Sequence, residues 1–421
     1  MERFFVRPSG PLSGQVEIFG AKNSVLKCMA ATLLAPGSHR IANVPAITDV
    51  GIVCELLGAM GVRSHRSGRG TGGVLEIEVP EDVVPVAPYE VVEKIRASIV
   101  VLGPLLARYG SARVSMPGGD DFGGRPIDMH LRAFEELGAE FTTDHGYVEG
   151  RCDRLVGTRV VLEFPSHTTT DNVMMAAVLA KGTTVIENAA REPEVVDLAG
   201  MLCGMGARIE GAGTSRIEIE GVDELRPADH AAIADRVEAA TFLAAVGLAG
   251  GEIELRHARA DHMEMLLEKL ATIGVHTVDT GSGLLARATH PLHAVDISTL
   301  PYPGVATDYK PFLVTMLAVS DGVAIVTENI FAGRFRYVDE LRRMGADITT
   351  TGHHAVVRGV PRLSGAPVRS PDIRAGAALV LAGLVADGET EVAGAEHVDR
   401  GYEDLAGRLA ALGADVRRGA E

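Results

Sequence analysis

The sequence lacks any hydrophobic run long enough to cross a membrane. Its longest apolar stretch, residues 375–386, is shorter than the roughly 20 residues that a transmembrane helix needs. Positive charge is also scarce: 40 lysines and arginines face 56 aspartates and glutamates, which gives a formal net charge of −16 at pH 7. This balance argues against nucleic acid as a partner. A small anionic substrate remains compatible with it wherever basic residues converge locally.

Cysteine is rare, and its spacing does not match the common metal-binding motifs. The four cysteines are Cys28, Cys54, Cys152 and Cys203. They lie in apolar or strand-like contexts, which is typical of reduced, intracellular thiols. The charged first residues are not followed by the apolar segment of a secretory signal. We therefore expect a cytoplasmic protein without a membrane partner.

Two series of glycines repeat in phase along the chain. The first series closes helical stretches, within a motif of Leu, Met or Ile, then Gly, then Ala or Val; the second follows apolar helices of small residues. The glycines are 61, 138, 206, 274, 345 and 413 in the first series and 37, 110, 182, 250, 322 and 388 in the second. A glycine after a helix provides the positive φ that other residues avoid. The pattern predicts six α/β units, each with a buried helix, an amphipathic helix and several strands.

Six units of this length could form a solenoid or two closed sets of three. The buried helices are almost entirely apolar, so we expect them to be enclosed on all sides in two compact domains. The boundary is predicted near residues 231–234. The glycine-rich run at residues 67–73 precedes a strand-like segment rather than a helix, which favours a hairpin turn over a phosphate loop.

The repeat makes the starts of the six buried helices equivalent, and each start carries polar or charged residues. They are Lys22 with Asn23, Arg96, residues 166–170, Asp235 with Arg236, Asp308 with Lys310, and Asp372 with Arg374. Helix caps explain Asp and Ser at such positions. They do not explain Lys22, Arg96 or Arg374, whose charge opposes the helix dipole. Cations at helix starts indicate a cleft for phosphate and carboxylate groups, with solvated caps and ion pairs as the alternative.

Two other groups of residues bear on chemistry. Residues 117–130 contain four glycines and two prolines, which predicts a shaped loop that carries Asp120, Asp121 and Arg125. The polar residues at positions 257–264 fit an exposed helix face better than a metal site, so no metal or other cofactor is expected.

Several motifs together resemble the enolpyruvyl transferases of the EPSP synthase family. They are Gly20–Asn23, Arg96–Ser98, Leu102–Leu105, Pro117–Gly119, Arg125–His130, Asn188–Glu194, Thr307–Asp308, Arg334–Phe335, Asp372–Ala375 and Asp399–Glu403. Two of them, Pro117–Gly119 and Arg125–His130, are similar to the mobile loop and uridine pocket of the branch that acts on UDP-N-acetylglucosamine. The motifs span nearly the whole chain, and as a set they are highly specific.

The resemblance implies two inside-out α/β domains, each built from three repeated βαβαββ-type units, that close like a clamp over substrate. One domain would comprise residues 22–233 with the mobile loop Pro117–Gly124, and the other residues 1–21 plus 234–421. The implied reaction transfers the enolpyruvyl group of phosphoenolpyruvate to the 3-hydroxyl of the nucleotide sugar and releases phosphate, as a step in peptidoglycan precursor synthesis.

The resemblance also implies roles for individual residues. Lys22, Arg125, Arg374 and Arg400 would hold phosphoenolpyruvate, Asp308 would accept the hydroxyl proton, and Asp120 would move a proton at the methylene carbon or assist product release. The catalytic set is Asp120, Asp308, Lys22 and Arg400. The substrate-binding set is Asn23, Arg96, Arg125, Pro126, Ile127, Asp128, Met129, His130, Ser166, His167, Thr168, Asp235, Arg334, Asp372 and Arg374.

The chain departs from the usual family pattern at two places. Asp120 stands where most members have cysteine, and residues 166–168 read Ser-His-Thr where the family usually has Ser-Val-Gly. The second departure lies where the family approaches the nucleotide diphosphate. It therefore keeps open an alternative, the same chemistry on another uridine nucleotide such as UMP in nucleoside antibiotic biosynthesis. Transfer to shikimate phosphate and a catalytically silent scaffold are further alternatives, and both are less favoured.

Overall fold

The computed structural model describes residues 2–116, 127–331 and 333–420. Its α-helices are α1 (Lys22–Ala31), α2 (Thr48–Ala59), α3 (Tyr89–Val92), α4 (Leu102–Tyr109), α5 (Asp128–Glu136), α6 (His167–Ala177), α7 (Pro193–Gly204), α8 (Arg236–Ala249), α9 (Glu264–Ile273), α10 (Lys310–Leu317), α11 (Val338–Arg343), α12 (Ile373–Gly383), α13 (Ala395–Asp399) and α14 (Leu405–Ala411). Short 3-10 helices are formed by Thr32–Leu34, Gly70–Gly72, Arg96–Val101 and Ala260–His262. Within the described ranges, no helix is long and apolar enough to span a bilayer.

The strands are short and distributed along the whole chain. They are β1 (Glu2–Val6), β2 (Leu12–Glu17), β3 (Gly37–Ala42), β4 (Arg63–Ser67), β5 (Val74–Val79), β6 (Val86–Ala87), β7 (Ser111–Ser115), β8 (Glu140–Asp144), β9 (Tyr147–Arg151), β10 (Arg159–Val161), β11 (Thr183–Glu187), β12 (Arg208–Glu210), β13 (Arg216–Glu220), β14 (Asp229–Ala231), β15 (Gly251–Arg256), β16 (Val275–Asp279), β17 (Gly283–Ala288), β18 (Ile297–Ser298), β19 (Val323–Thr327), β20 (Asp347–Thr351), β21 (His354–Arg358), β22 (Leu363–Ser364), β23 (Pro367–Arg369), β24 (Ala386–Asp387), β25 (Thr390–Ala393) and β26 (Val416–Ala420).

The described residues divide into two compact units, each with its own hydrophobic core. One unit contains residues 20–116 and 127–233, and the other contains residues 2–19, 234–331 and 333–420. The core of the first unit runs from Val25 to Ala232, and that of the second joins the N-terminal strands to residues 237–416. Within the described ranges, the chain passes from one unit to the other at residues 19–20 and again at residues 233–234.

Each unit contains three four-stranded sheets of the same design. In the sheet β10-β11-β13-β12, a strand, a buried helix and a parallel strand are followed by an outer helix and an antiparallel hairpin. Five other sheets repeat this order, in two cases with a strand contributed by the N-terminus and in one with β14. The helices α1, α4, α6, α8, α10 and α12 lie buried inside and the sheets lie outside. The predicted α/β class, with three inside-out βαβαββ-type units per domain, is confirmed.

The glycine pattern is explained by backbone geometry. All twelve glycines of the two series have a φ between 65° and 122°. At Gly110, which ends α4 in the left-handed conformation, an added Cβ would also lie 2.6 Å from the carbonyl oxygen of Cys152. A residue with a side chain would therefore be strained there.

One local prediction concerns the glycine-rich turn between two strands, and a second turn of similar kind lies between β20 and β21. β4 and β5 pair antiparallel, with Ser67 opposite Val74, so the glycine-rich run at residues 67–73 forms the predicted hairpin turn and not a phosphate loop. The hairpin between β20 and β21 places Gly352 and His353 in a turn, whereas His354 is the first residue of β21.

Candidate active site

Asp308 lies between two arginines in the unit that contains residues 234–331 and 333–420. Nη1 of Arg334 donates to Oδ1 of Asp308 at 2.7 Å, and Nε of Arg374 donates to Oδ2 at 3.3 Å. Both arginine side chains are only 4% exposed, while the Asp308 side chain is 27% exposed. Two buried cations at this distance favour the ionised form of a carboxylate, which is the form that can accept a proton.

Arg374 retains hydrogen-bonding capacity although it is buried. Its Nη1 atom is inaccessible to solvent and has no hydrogen-bond partner among the described residues. Its guanidinium carbon lies 5.2 Å from the ring centroid of Tyr402. Burial alone would lower the pKa of Arg374, but Tyr402, Asp308 and Asp235 outweigh it and raise the pKa above its usual value. A permanently charged guanidinium with one N–H group that has no hydrogen-bond partner among the described residues is suited to an anionic ligand.

Two predicted site residues in this unit act as helix caps. Oδ1 of Asp235 accepts from the backbone N–H groups of Val237 and Glu238 at 2.7 and 3.1 Å, at the start of α8. Oδ1 of Asp372 accepts from the N–H groups of Arg374 and Ala375 at 2.9 and 3.0 Å, at the start of α12. These contacts account for both carboxylates as N-caps. Asp372 thereby also fixes the backbone from which the Arg374 side chain extends.

A buried carboxylate, Glu328, joins the segments on either side of Asp308. Its Oε2 atom accepts from Thr307 Oγ1 at 2.7 Å and pairs with Lys310 Nζ at 2.7 Å. Its Oε1 atom accepts from Thr299 Oγ1 at 2.7 Å and from the N–H groups of residues 330 and 331. Burial lowers the pKa of Lys310 to about 8, although Glu328 acts in the opposite direction. Lys310 therefore remains charged at neutral pH.

In the other unit, Lys22 begins α1 and is matched by a carboxylate. Its Nζ atom lies 2.6 Å from Oδ2 of Asp49, which is in the first turn of α2 and is buried. Asn23, the next residue of α1, is half-buried. An ion pair was the alternative explanation for a cation at a helix start, and at Lys22 the structure shows such a pair.

Asn172 connects three of the predicted binding segments. Its Oδ1 atom accepts from the N–H of Gly103 at 2.8 Å, which identifies Nδ2 as the donor to the Ile99 carbonyl at 2.9 Å and to Nδ1 of His130 at 3.1 Å. Because Nδ1 of His130 accepts this hydrogen bond, the ring proton of the neutral imidazole lies on Nε2. Asn172 was not predicted, although its position on a buried helix, six residues after Ser166, was a usable signal.

The segment that departs from the family pattern contains a buried charge cluster. Ser166 caps α6 by accepting from the N–H of Thr169 at 3.3 Å. Nε2 of His167 lies 3.2 Å from Oδ2 of Asp171 and 3.4 Å from Nζ of Lys27, and Lys27 lies 3.5 Å from the same carboxylate oxygen. Burial raises the pKa of Asp171 to about 7, against the opposing charge of Lys27. Sequence reasoning missed Lys27 and Asp171.

The remaining predicted residues are placed as follows. Arg96 is the first residue of the 3-10 helix Arg96–Val101, Ile127 is buried before α5, and Asp128 and Met129 are half-buried at the start of α5. Thr168 is half-buried in the first turn of α6, and Arg400 is half-buried at the end of α13. Asp120, Arg125 and Pro126 lie outside the described residues.

A group of potential metal ligands in the described ranges is explained by hydrogen bonds. Ligand atoms of Cys28, Asp197 and His230 lie within 4.8 Å of one another. Asp197 accepts from Nε2 of His230 at 2.9 Å, from the N–H of residue 233 at 3.3 Å and from the hydroxyl of Ser24. Burial raises the pKa of the Cys28 thiol, which keeps it protonated. This geometry satisfies the polar groups without an ion.

The chain that forms this inside-out repeat, with its charged helix starts, matches a known protein family in sequence. Residues 6–409 match the family described as EPSP synthase (3-phosphoshikimate 1-carboxyvinyltransferase), and the chain belongs to this family. It is 49% identical to the UDP-N-acetylglucosamine 1-carboxyvinyltransferase of Myxococcus xanthus, over 99% of both chains. It is 46% identical to the protein of that name from Corynebacterium jeikeium, again over 99% of both chains.

Solved structures of the same fold support the architecture. The enolpyruvyl transferase NikO from Streptomyces tendae is similar with a TM-score of 0.88 and 26% identity, over 99% of this chain and 98% of that one. The EPSP synthase from Acinetobacter baumannii is similar with a TM-score of 0.76 over the full length of both chains. At 18% identity, the second likeness concerns the fold alone.

Proposed function

We propose that this protein transfers the enolpyruvyl group of phosphoenolpyruvate to the 3-hydroxyl of UDP-N-acetylglucosamine and releases phosphate. The reaction would supply peptidoglycan precursors in the cytoplasm. The observation that carries the proposal is the Asp308 carboxylate held by Arg334 at 2.7 Å and Arg374 at 3.3 Å. The relatives that are 46–49% identical over nearly the whole chain, which bear the corresponding name, support this acceptor.

The proposed chemistry begins with a proton transfer to Asp308. The sugar hydroxyl gives its proton to this carboxylate, and its oxygen forms a bond to C2 of phosphoenolpyruvate while the methylene carbon takes up a proton. The resulting tetrahedral intermediate then loses a proton from the new methyl group and breaks its bond to phosphate. Asp120 is proposed to move the proton at this carbon.

The cations of the site are proposed to bind the two anionic groups of phosphoenolpyruvate. The buried Arg374 offers Nη1, which has no hydrogen-bond partner among the described residues. A guanidinium can hold a carboxylate or phosphate through two parallel hydrogen bonds, and such contacts strengthen where water is excluded. Lys22, Arg125 and Arg400 are proposed to complete this set, and Asn23 and Arg334 to orient the reacting groups.

The nucleotide is proposed to bind the remaining predicted residues in the unit that contains residues 20–116 and 127–233. Asn172 fixes the ring of His130 and, through Gly103 and Ile99, the 3-10 helix and α4 beside it. Rigid supports of this kind favour recognition of a flat uracil ring. We propose that Arg96, Pro126, Ile127, Asp128 and Met129 share this nucleotide role.

A second acceptor is favoured by the charge cluster at the start of α6. His167 is held by Asp171 and Lys27, where the family usually has an apolar residue. Thr168 adds a side chain where the family has glycine, and this change could favour a nucleotide with a smaller phosphate group. UMP is therefore the alternative acceptor.

The decisive assay measures phosphate release from phosphoenolpyruvate with a panel of uridine nucleotides. Turnover with UDP-N-acetylglucosamine at a kcat/KM at least about tenfold above that with UMP or UDP-glucose is expected. A higher kcat/KM with UMP would replace the main proposal by the alternative. If none of these acceptors supports phosphate release, both the main proposal and the alternative are refuted.

A further inference from the structure

Lys310 is fully buried, and its contacts connect it to the proposed base. Its side chain and that of Glu328 are each 0% exposed, and they pair at 2.7 Å. A buried ion pair is weak evidence for stability, because apolar residues of similar volume often stabilise a fold equally well. The pair with Glu328 is therefore not evidence that Lys310 serves the stability of the fold, and its other contacts bear on its role.

The contacts of Lys310 form a closed ring with Arg334, Thr307 and Glu328, and Asp308 is attached to this ring through Arg334. Its Nζ atom donates to the carbonyl oxygen of Arg334 at 2.6 Å, and the side chain of Arg334 donates from Nη1 to Asp308 at 2.7 Å and to Thr307 Oγ1 at 3.2 Å. Thr307 donates to Glu328, which pairs with Lys310 and completes the ring. The ammonium group also lies 3.9 Å from the ring centroid of Phe335.

We infer that Lys310 is a positioning residue: its ammonium group fixes the backbone at Arg334 and thereby keeps the Arg334 guanidinium on Asp308. This inference rests on the proposed function. Lys310 tethers the two ends of one segment, since it contacts the carboxylate of Glu328 and the carbonyl of Arg334. Without this tether, the long Arg334 side chain would start from a backbone segment that turn contacts hold, such as the hydrogen bond from the Arg334 N–H to the Phe331 carbonyl at 3.0 Å. A displacement of about 1 Å in such a group can cost about 100-fold in rate.

The test variant is Lys310→Met, which keeps an unbranched chain of similar length and removes the ammonium group. We expect kcat to fall by roughly 10–100-fold, while KM for the nucleotide changes by less than about threefold. Calorimetric titration with the nucleotide should still count about one binding site per chain, which separates a slow enzyme from a partly unfolded one.

The pH dependence provides the readout that a purely structural role would not change. A carboxylate that loses a cation at hydrogen-bond distance holds its proton more tightly. In Lys310→Met, the acid limb of the kcat/KM profile should therefore move to higher pH by about one unit. An unshifted acid limb combined with normal kcat per binding site would overturn the inference.

A second variant removes the ambiguity of an unpaired buried charge. Lys310→Met combined with Glu328→Gln removes one charge of each sign and keeps one acceptor oxygen, for Thr299 and the N–H groups of residues 330 and 331, while the amide nitrogen can donate to Thr307 Oγ1. We expect this double variant to regain thermal stability but to keep the low kcat and the shifted acid limb. Recovery of kcat together with stability would show that Lys310 only balances Glu328, and this result stands even where the single variant does not fold.

Two further variants serve as controls. Arg408→Met breaks another buried ion pair of the same unit, the one with Glu238, and should lower the unfolding temperature without shifting the acid limb. Asp308→Ala tests the proposed function itself. If Asp308→Ala is inactive while Lys310→Met behaves like wild type, the positioning inference fails alone. If Asp308→Ala retains normal turnover, the proposed base fails, whatever Lys310 does.

Discussion

Replacing Asp308 by alanine separates proton transfer from substrate binding. The carboxylate contacts Arg334 at 2.7 Å and Arg374 at 3.3 Å, and it has no apolar role in the core. Loss of a general base typically costs about 10²–10⁴ in rate. We therefore expect kcat for phosphate release to fall by at least about 100-fold, with nucleotide affinity within about twofold of wild type.

The same change should affect phosphoenolpyruvate in the opposite direction. Without Asp308, the two buried arginines lose the anion that balances them, and the ligand can take its place. Calorimetry should show binding of phosphoenolpyruvate that is roughly 2–10-fold tighter. The control is Asp339→Ala, which removes an exposed carboxylate paired with Arg342 at the same distance of 2.7 Å and should change neither quantity. Near-normal phosphate release by Asp308→Ala would remove this residue from the mechanism.

Three other changes test separate parts of the structure. Asn172→Ala leaves the buried Gly103 N–H unpaired and removes one of the two hydrogen bonds to the Ile99 carbonyl, which also accepts from Leu102 N–H, and it should lower the unfolding free energy by about 1–3 kcal/mol in urea titrations. Burial raises the pKa of Asp171 to about 7, so the protonated carboxyl stabilises the fold at low pH and this stabilisation is lost as the pH rises. The unfolding free energy of the wild type, measured relative to that of Asp171→Asn, should therefore fall by more than about 1 kcal/mol between pH 5 and pH 8. Fosfomycin should not modify the wild-type protein, because Asp120 is a weak nucleophile, whereas Asp120→Cys should show a stoichiometric adduct by mass spectrometry and Asp121→Cys should not.

The repeat could be predicted because its signals are local. Each helix-ending glycine occupies a backbone conformation that strains other residues, so its spacing reports the length of one structural unit. Small apolar residues cover most of each buried helix, as in α12, where all eleven residues are buried and only Arg374 is charged. Both signals can be recognised without knowing what the helix packs against.

The pairing of the N-terminal strands could not be predicted in the same way. β1 lies between β25 and β26, with Arg3 opposite Ala393 and Gly419, and β14 completes a sheet with β3. These partners are separated by most of a domain or of the chain, and a short strand carries no information about which distant edge it will join. The expected strand content was therefore available from the sequence, but its distribution among sheets was not.

The cations of the site were predicted more readily than the carboxylates that hold them. A lysine at the start of an apolar helix is conspicuous because its charge opposes the helix dipole, whereas Asp49 and Glu328 resemble ordinary polar residues of a turn or strand end. Their burial is visible only in the folded structure, where Asp49 forms an ion pair with Lys22 and Glu328 forms one with Lys310. The same holds for Asp171, whose partner Lys27 lies on a different helix.

These carboxylates explain how an acidic protein can bind an anionic substrate. Lys22 is balanced by Asp49, and Arg334 and Arg374 are balanced by Asp308, so the cations are buried without a large uncompensated charge. In the proposed reaction, phosphoenolpyruvate brings its own anionic groups to the arginines and competes with Asp308 for them. A carboxylate that loses part of this contact becomes a stronger base at the moment when the sugar hydroxyl must give up its proton. The contacts of Asp308 with Arg334 and Arg374 would then serve two purposes. They balance the buried charges in the free protein, and their loss on substrate binding makes Asp308 basic enough for catalysis.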